Sequence, residues 1–310
     1  MQGASASRSP GASAGPAIRL RLASRASALA LAQLSEVEAA LAALMPGVEL
    51  VRVLIHAKGD GSLVPFTELD SVGVFTSALE AAVLNGEADL AVHSLKDLPT
   101  SLPAESELVA VLPRSSPWDV LITAGGQCLA ELAPSSRIGT SSPRRRALLA
   151  ISRPDLVLVE ARGNVDTRLR QLDAGAFDAL VLAEAGLLRL GVSRPWERIG
   201  PEPLLPAAGQ GAIAVEARRN DPRTEAVRGL HHQATADAVK AERACLEALG
   251  GGCSLPLGVW ADAQDGELSV RGRLVSGGRL AEATRTGRAA DARALGTALG
   301  RELGRRLERP

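Results

Sequence analysis

The chain has 310 residues, which is long for one hydrophobic core and predicts two or three domains. Its 35 basic and 35 acidic residues cancel, and aromatic residues make up only 2%. This balance argues against a nucleic-acid or membrane-surface role. The three cysteines and four histidines show no metal-ligand spacing, so no metal site is expected. No apolar run approaches the ~20 residues that span a bilayer, and we expect a cytoplasmic protein.

The first third of the chain is predicted to alternate strands and helices. Residues 1–16 are mostly Ser, Ala, Gly and Pro, which predicts a disordered leader. Strands are expected at 18–22, 48–55, 88–92, 108–112 and 119–123. A first helix is expected to place Leu34, Val37, Leu41 and Leu44 on one face and to end near 46–47, and a second helix is expected at 75–84. The loop at residues 58–72 is long enough to indicate mobility or function.

Two polar turns follow strands in this part. Arg25 and Ser27 follow the first strand, and His93-Ser94-Leu95-Lys96-Asp97 follows the third. Ligands of open α/β sheets bind at the carboxyl ends of strands, so this position suits a functional site. From these residues alone, a surface ion pair between Lys96 and Asp97 is an equally good interpretation.

The segment at residues 137–147, R-I-G-T-S-S-P-R-R-R-A, has an unusual charge pattern. It predicts a strand end, hydroxyls that cap a helix, and Pro143 in the first helical position. Three arginines then stand in the first turn, where the helix dipole disfavours cations unless an anion also binds. A solvated basic helix start is the alternative. Recurrence favours an anion pocket, because predicted strands at 156–160 and 178–182 are also followed by polar turns, at 162–168 with Arg162 and Arg168 and at 185–189 with Arg189.

The remaining sequence predicts that the chain crosses back into the first lobe (the return crossing) and then forms a third domain. Prolines between residues 112 and 119 and a late apolar strand at 213–216 indicate two crossings between two α/β lobes, with a hinged cleft between them. A helix at 234–249, strands at 257–260, 268–274 and 280–286, and a helix at 291–307 then form a small domain.

Three glycines precede Cys253 on a loop of this small domain, which lets a bulky group approach its thiol. A buried apolar cysteine is the common alternative. Cys128 and Cys245 have no such setting, and both are predicted to be core residues.

From residue 18 onward, these motifs together resemble the porphobilinogen deaminase (hydroxymethylbilane synthase) family. The motifs are at residues 23–33, 93–99, 139–145, 162–168, 205–212 and 251–256. The resemblance implies an α/β fold with two hinged lobes like those of periplasmic binding proteins, a double crossover, and a small α+β third domain with a three-stranded antiparallel sheet. We expect domain 1 at 17–113 and 209–231, domain 2 at 114–208, and domain 3 at 232–310.

The resemblance also implies an activity. The family joins four porphobilinogen molecules head to tail into the linear tetrapyrrole hydroxymethylbilane and releases ammonia, a step of haem biosynthesis. A dipyrromethane primer is held by a thioether to a cysteine, by motif position Cys253, and Asp97 is the catalytic carboxylate. The protein is expected to be a monomer with no nucleic-acid or membrane partner.

Each pyrrole carries an acetate and a propionate, so the growing chain is a polyanion. By resemblance, the residues that hold the primer are Ser94, Lys96, Thr140, Ser141, Ser142, Arg144, Arg145 and Arg168. The residues that bind substrate or support its site are Arg25, Ser27, Gln33, Arg162, Arg189 and Gln210. The chain departs from the family pattern at Val72 and Ser77, where lysines are frequent. A non-catalytic anion-binding protein with the same lobes and an inactive homologue are the competing hypotheses.

Overall fold

A computed structural model describes residues 18–55, 71–252 and 254–308, with the backbone alone for residues 71–77. The strands in these ranges are β1 (Arg19–Arg25), β2 (Glu49–Ile55), β3 (Leu90–Ser94), β4 (Ser106–Val111), β5 (Asp119–Thr123), β6 (Arg137–Gly139), β7 (Val157–Val159), β8 (Ala179–Ala183), β9 (Glu197–Arg198), β10 (Ile213–Arg218), β11 (Leu257–Gln264), β12 (Glu267–Ser276) and β13 (Arg279–Arg288). The helices are α1 (Ala28–Leu44), α2 (Ser71–Leu84), α3 (Pro143–Ser152), α4 (Val165–Asp173), α5 (Glu184–Arg189), α6 (Gln233–Ala248) and α7 (Ala292–Glu308). None of these helices has the length and apolarity needed to cross a membrane.

The first sheet has the strand order β2-β1-β3-β10-β4. β1 is parallel to β2 and β3, and β10 is antiparallel to β3 and β4. Helix α1 covers one face through Leu34, Val37 and Leu41, and α2 covers the other through Leu79 and Val83. Because both faces are covered, its central strands are apolar on both sides, which explains their nearly continuous hydrophobic sequence.

The second sheet has the order β7-β6-β8-β5-β9. In each sheet one antiparallel strand arrives by a crossing: β5 follows residues 112–118, and β10 follows residues 199–212. The predicted double crossover is therefore confirmed. Two details of the prediction were wrong. The short strand β9 was missed, and residues 185–189, predicted as a polar turn, belong to helix α5 because Glu184 starts a helical turn directly after β8.

The third sheet is antiparallel, with the order β11-β12-β13. Helices α6 and α7 pack on one of its faces around Cys245, Leu299 and Leu303. Val275 of this sheet belongs to a core cluster of the second lobe, so the small unit is docked there. These three sheets and their helices confirm the predicted fold class. The residue limits of the three domains remain a prediction.

Candidate functional site

Two glycines of the return crossing allow three segments to meet. Gly209 has a φ of +72°, and a Cβ there would lie 2.3 Å from Leu95 Cδ2 and 3.3 Å from the backbone nitrogen of Lys96. Gly211 has a φ of +88°, and a Cβ there would lie 2.5 Å from the carbonyl oxygen of Ser116. Only glycine fits both requirements. The return crossing therefore lies against the turn that follows β3 and against the outgoing crossing.

A small cavity opens beside the ends of β1 and β3. Its volume is about 100 Å³, and it is lined by Arg25, Ser27, Leu29, Ala30, Gln33, Leu79, Val92, His93, Ser94 and Asp97. The side-chain amide of Gln33 donates to Ser94 Oγ at 2.8 Å and accepts from it at 3.0 Å. The structure thus brings together two turns that the sequence places about 70 residues apart.

A buried acid that the sequence-based prediction missed contacts His93, which lines this cavity. Glu216, on β10, lies with Oε2 2.9 Å from Nε2 of His93, and both side chains are buried. The only signal in the sequence is one acidic residue inside an otherwise apolar strand. Such a residue must find a partner inside the protein, because an unpaired buried charge is costly.

The arginines at the start of α3 are buried rather than solvated. Arg144 NH1 lies 2.7 Å from Asp119 Oδ2, and Arg145 NH2 lies 2.7 Å from Asp119 Oδ1. Gln210 Nε2 donates to the same Oδ1 at 3.1 Å. Burial alone would raise the pKa of Asp119, but the two guanidinium charges outweigh it and lower this pKa to about 2. The alternative of a solvated basic helix start is therefore wrong.

Positive charge nevertheless remains in surplus around Asp119. Burial lowers the pKa of Lys96, and the positive charges of Arg145 and Arg144 lower it further. The negative charges of Asp97 and Asp119 act in the opposite direction and raise this pKa. Burial and the charge of Arg145 also lower the pKa of Arg168, to about 10.

Four cations thus share this region with two carboxylates: Lys96, Arg144, Arg145 and Arg168 against Asp97 and Asp119. Bound anions would relieve this surplus, because they stabilise the charged forms of the buried basic groups.

The three hydroxyl groups before α3 each form a hydrogen bond with the backbone. Ser142 caps the helix by accepting from the backbone N–H of Arg145 at 3.4 Å, and Thr140 Oγ1 accepts from the N–H of Ser142 at 3.3 Å. The predicted cap is confirmed. Ser141 donates its hydroxyl hydrogen to the carbonyl oxygen of Ala161 at 2.7 Å. Thr140 and Ser142 therefore keep an O–H group that can donate to a ligand, whereas the O–H group of Ser141 already donates to the backbone.

Other predicted site residues have contrasting surroundings. Arg162 pairs with Glu160 at 2.7 Å on the turn before α4. Arg189 reaches across to Glu36 of α1 at 2.9 Å. Asp97 is exposed at the end of the turn after β3. Cys253, the predicted attachment point, lies outside the described residues.

The remaining two cysteines differ from each other. Cys245 is buried, and burial together with the charge of Glu242 raises its pKa to about 12. Cys128 is only half-buried at the start of a short 3-10 turn, so its prediction as a core residue was wrong. Within the described ranges, no group of three His, Cys, Asp or Glu side chains is arranged to hold a metal ion.

Comparison with known proteins assigns the family. The model described as "Porphobilinogen deaminase, dipyromethane cofactor binding domain" matches residues 20–226. The model of the porphobilinogen deaminase C-terminal domain matches residues 236–305. This chain belongs to the porphobilinogen deaminase family.

Named members of the porphobilinogen deaminase family are similar over most of their length. The porphobilinogen deaminase of Syntrophobacter fumaroxidans is 42% identical over 289 residues, covering 92% of this chain and 94% of the relative. That of Rubrobacter xylanophilus is 48% identical over 261 residues, covering 83% and 85%. Among solved structures, the substrate-binding protein AbpA from Streptococcus pneumoniae is similar over 69% of this chain and 87% of its own, with 17% identity and a TM-score of 0.37.

The basic residues around Asp119 fit the dipyrromethane cofactor of the family. Arg144 Nε is buried and has no hydrogen-bond partner among the residues that the structure describes. It belongs to the same surplus of positive charge as Lys96 and Arg168. Acetate and propionate groups are the acceptors that such donors require. The donor set therefore suits a compact group that carries several carboxylates.

Proposed function

We propose that this chain condenses four porphobilinogen molecules head to tail into hydroxymethylbilane with release of ammonia. The dipyrromethane that supports this reaction is attached through a thioether to Cys253. When bound, it supplies the free pyrrole carbon to which substrate units are added. We further propose that the protein acts as a cytoplasmic monomer, with domains at 17–113 with 209–231, at 114–208 and at 232–310.

The observation that carries this proposal is the surplus of positive charge around Asp119, where Lys96, Arg144, Arg145 and Arg168 face only Asp97 and Asp119 among the described residues. Burial lowers the pKa values of Lys96, Arg144 and Arg168, and the positive charge of Arg145 lowers each of them further. Carboxylates of the cofactor would compensate this surplus. Ser94, Thr140, Ser142 and Arg145 would complete its binding site, with Ser141 fixing the turn.

Substrate would bind on the side of the first sheet. Arg25 and Ser27 line the small cavity, and Gln33 holds Ser94 at its wall. Arg162 and Arg189 would bind carboxylates of the substrate or of the elongating chain, where a guanidinium can form two parallel hydrogen bonds. Gln210 would act indirectly, by holding Asp119.

Asp97 would be the catalytic residue. It lies at the mouth of the same cavity, exposed at the end of a turn and next to Lys96. A carboxylate fixed there can accept a hydrogen bond from the pyrrole N–H of a substrate. It then stabilises the positive charge that develops on that substrate as ammonia leaves, and it can accept or return a proton.

The test is the intact mass of the purified protein under denaturing conditions, followed by peptide mapping. We expect a surplus equal to two pyrrole units on the peptide that contains Cys253. Cys253→Ser should fold and carry no surplus, whereas Cys128→Ser, which changes the half-buried cysteine, should keep it. Added porphobilinogen should then be consumed by the modified protein.

The competing functions give different results. A non-catalytic anion-binding protein or an inactive homologue would carry no pyrrole on Cys253 and would not consume porphobilinogen. An unmodified chain that also forms no adduct when porphobilinogen is supplied would therefore refute the proposed function.

A further inference from the structure

One face of α1 continues from the cavity toward the second lobe. Leu29 and Gln33 line the cavity. Glu36 follows seven residues after Leu29 in the sequence, so the three side chains share one helix face. Gly186 of α5 packs against this face, since a Cβ on it would lie 3.6 Å from Leu29 Cδ2. Glu36 is thus placed at the junction of the two lobes, one turn beyond the cavity.

Arg189 meets Glu36 at this junction. Its Nε donates to Glu36 Oε1 at 2.9 Å, and its NH2 lies 3.4 Å from Oε2. The same NH2 donates to the carbonyl oxygen of Gly211 at 3.1 Å. Arg189 therefore links α5 of the second lobe both to α1 of the first lobe and to the return crossing.

The two members of this pair differ in their access to water. The side chain of Arg189 is only 5% exposed, whereas that of Glu36 is 45% exposed. Released Glu36 would be solvated at little cost, but released Arg189 would remain a desolvated cation without an anion. The arginine is therefore fixed, and the glutamate is the exchangeable partner.

We propose that Glu36 competes with the carboxylates of porphobilinogen for the guanidinium group of Arg189. Glu36 is a positioning residue that holds Arg189 until a substrate carboxylate replaces it. This inference rests on the proposed function and adds a residue outside the family motifs described above. The bond to the Gly211 carbonyl keeps Arg189 in place during the exchange. Removing the charge of Glu36 should therefore strengthen substrate binding instead of weakening it.

The experiment compares steady-state kinetics of wild-type, Glu36→Gln and Glu38→Gln holoenzymes with porphobilinogen. Glu38 is a matched control on the same helix, since it forms a comparable pair with Arg52 at 2.6 Å. Glu36→Gln should lower KM about threefold, the size expected for one partly exposed ion pair. Its kcat should stay within about twofold, because the lost competition affects binding alone. Glu38→Gln should match the wild type.

A second measurement does not depend on turnover. Calorimetric titration of porphobilinogen into Asp97→Asn holoenzyme should give a Kd about threefold higher than in the Asp97→Asn, Glu36→Gln double variant.

Three results would overturn the exchange while leaving the proposed function intact: an unchanged or raised KM in Glu36→Gln, an equal fall of KM in Glu38→Gln, or a fall of kcat together with the melting temperature. Holoenzyme that consumes no porphobilinogen at all would overturn the proposed function and the exchange together.

Discussion

Replacing Asp119 with Asn should destabilise the second lobe, because two buried guanidinium groups would lose their anion. The Asp119 side chain is fully buried, and those of Arg144 and Arg145 are 5% and 7% exposed. Asn keeps the volume and one hydrogen-bond acceptor but carries no charge. The remaining cations, which include Lys96, would then repel each other in a region with little access to water.

The structure allows the size of this effect to be worked out in two ways. The pKa of Asp119 falls from 3.8 to about 2, which corresponds to about 2 kcal/mol of stabilisation of the charged form. Removing one partner of a buried ion pair costs about 3 to 5 kcal/mol in other proteins. A loss of about 3 kcal/mol would lower the melting temperature by roughly 5 °C in a chain of 310 residues, at an unfolding entropy of ~2.1 cal/mol/K per residue.

The assay is thermal unfolding of wild type and Asp119→Asn at pH 7, with Asp178→Asn as the control. Asp178 pairs with Arg137 at 2.9 Å at the amino-terminal ends of β8 and β6 in the same sheet, but both side chains are more than 40% exposed. Loss of this ion pair in Asp178→Asn should lower the free energy of unfolding by less than about 1 kcal/mol. Equal melting temperatures in the two variants would refute the claim that Asp119 compensates the buried arginines.

The pH dependence gives a further check with a definite sign. The pKa of Asp119 is lower in the folded protein than its ordinary value of 3.8, so the stabilisation is complete above that pH. It is lost as the pH falls from about 4 toward 2, where the folded carboxylate takes up its proton. The difference between wild type and Asp119→Asn should therefore narrow below pH 4, and a difference that widens there would contradict this linkage.

Three further substitutions test other parts of the protein. Asp97→Asn should keep the pyrrole surplus in its mass but lose at least about 100-fold in porphobilinogen turnover, and near-normal turnover would rule out its catalytic role. Arg168→Leu removes only one hydrogen bond of 2.7 Å, to the Gly163 carbonyl, so the melting temperature of this variant should change little. The fraction of protein that carries the primer should nevertheless fall in mass spectra. Full primer loading with unchanged kinetics would count against a role of Arg168 in binding. Glu242→Gln breaks a buried pair with Arg114 at 2.7 Å and should cost about 3 kcal/mol in thermal unfolding, a value that an ordinary surface pair would not reach.

Most of the fold could be predicted from sequence because its signals are local. The apolar runs of β3 and β5 and the cap at Ser142 each depend on residues within one turn or strand. The short strand β9 has only two residues, Glu197 and Arg198, and pairs with β5 about 80 positions earlier in the chain. A strand that short has no periodicity to detect, and only tertiary pairing creates it.

The partners of the charged side chains could not be predicted in the same way. Asp119 begins an apolar strand, and the arginines that compensate it follow 25 and 26 positions later. They meet because α3 follows β6 in the same sheet as β5, with β8 between those two strands. Glu36 and Arg189 are 153 residues apart and belong to different lobes. Sequence spacing carries no information on such contacts.

The arginines that follow the strands of the second sheet therefore resemble one another in sequence but differ in chemistry. Arg145 is compensated by a fully buried carboxylate, Arg189 by an exposed and exchangeable one, and Arg168 contacts a backbone carbonyl. Among the described residues, a ligand carboxylate would displace no other carboxylate at Arg168, would replace Glu36 at Arg189, and would add to a preformed pair at Arg145. Because displacement of a resident anion costs free energy that a vacant donor does not require, we expect the tightest anion binding around Arg168 and the most readily reversible binding at Arg189. Such a gradient suits a site that must hold one end of a polyanion while it admits new units at the other.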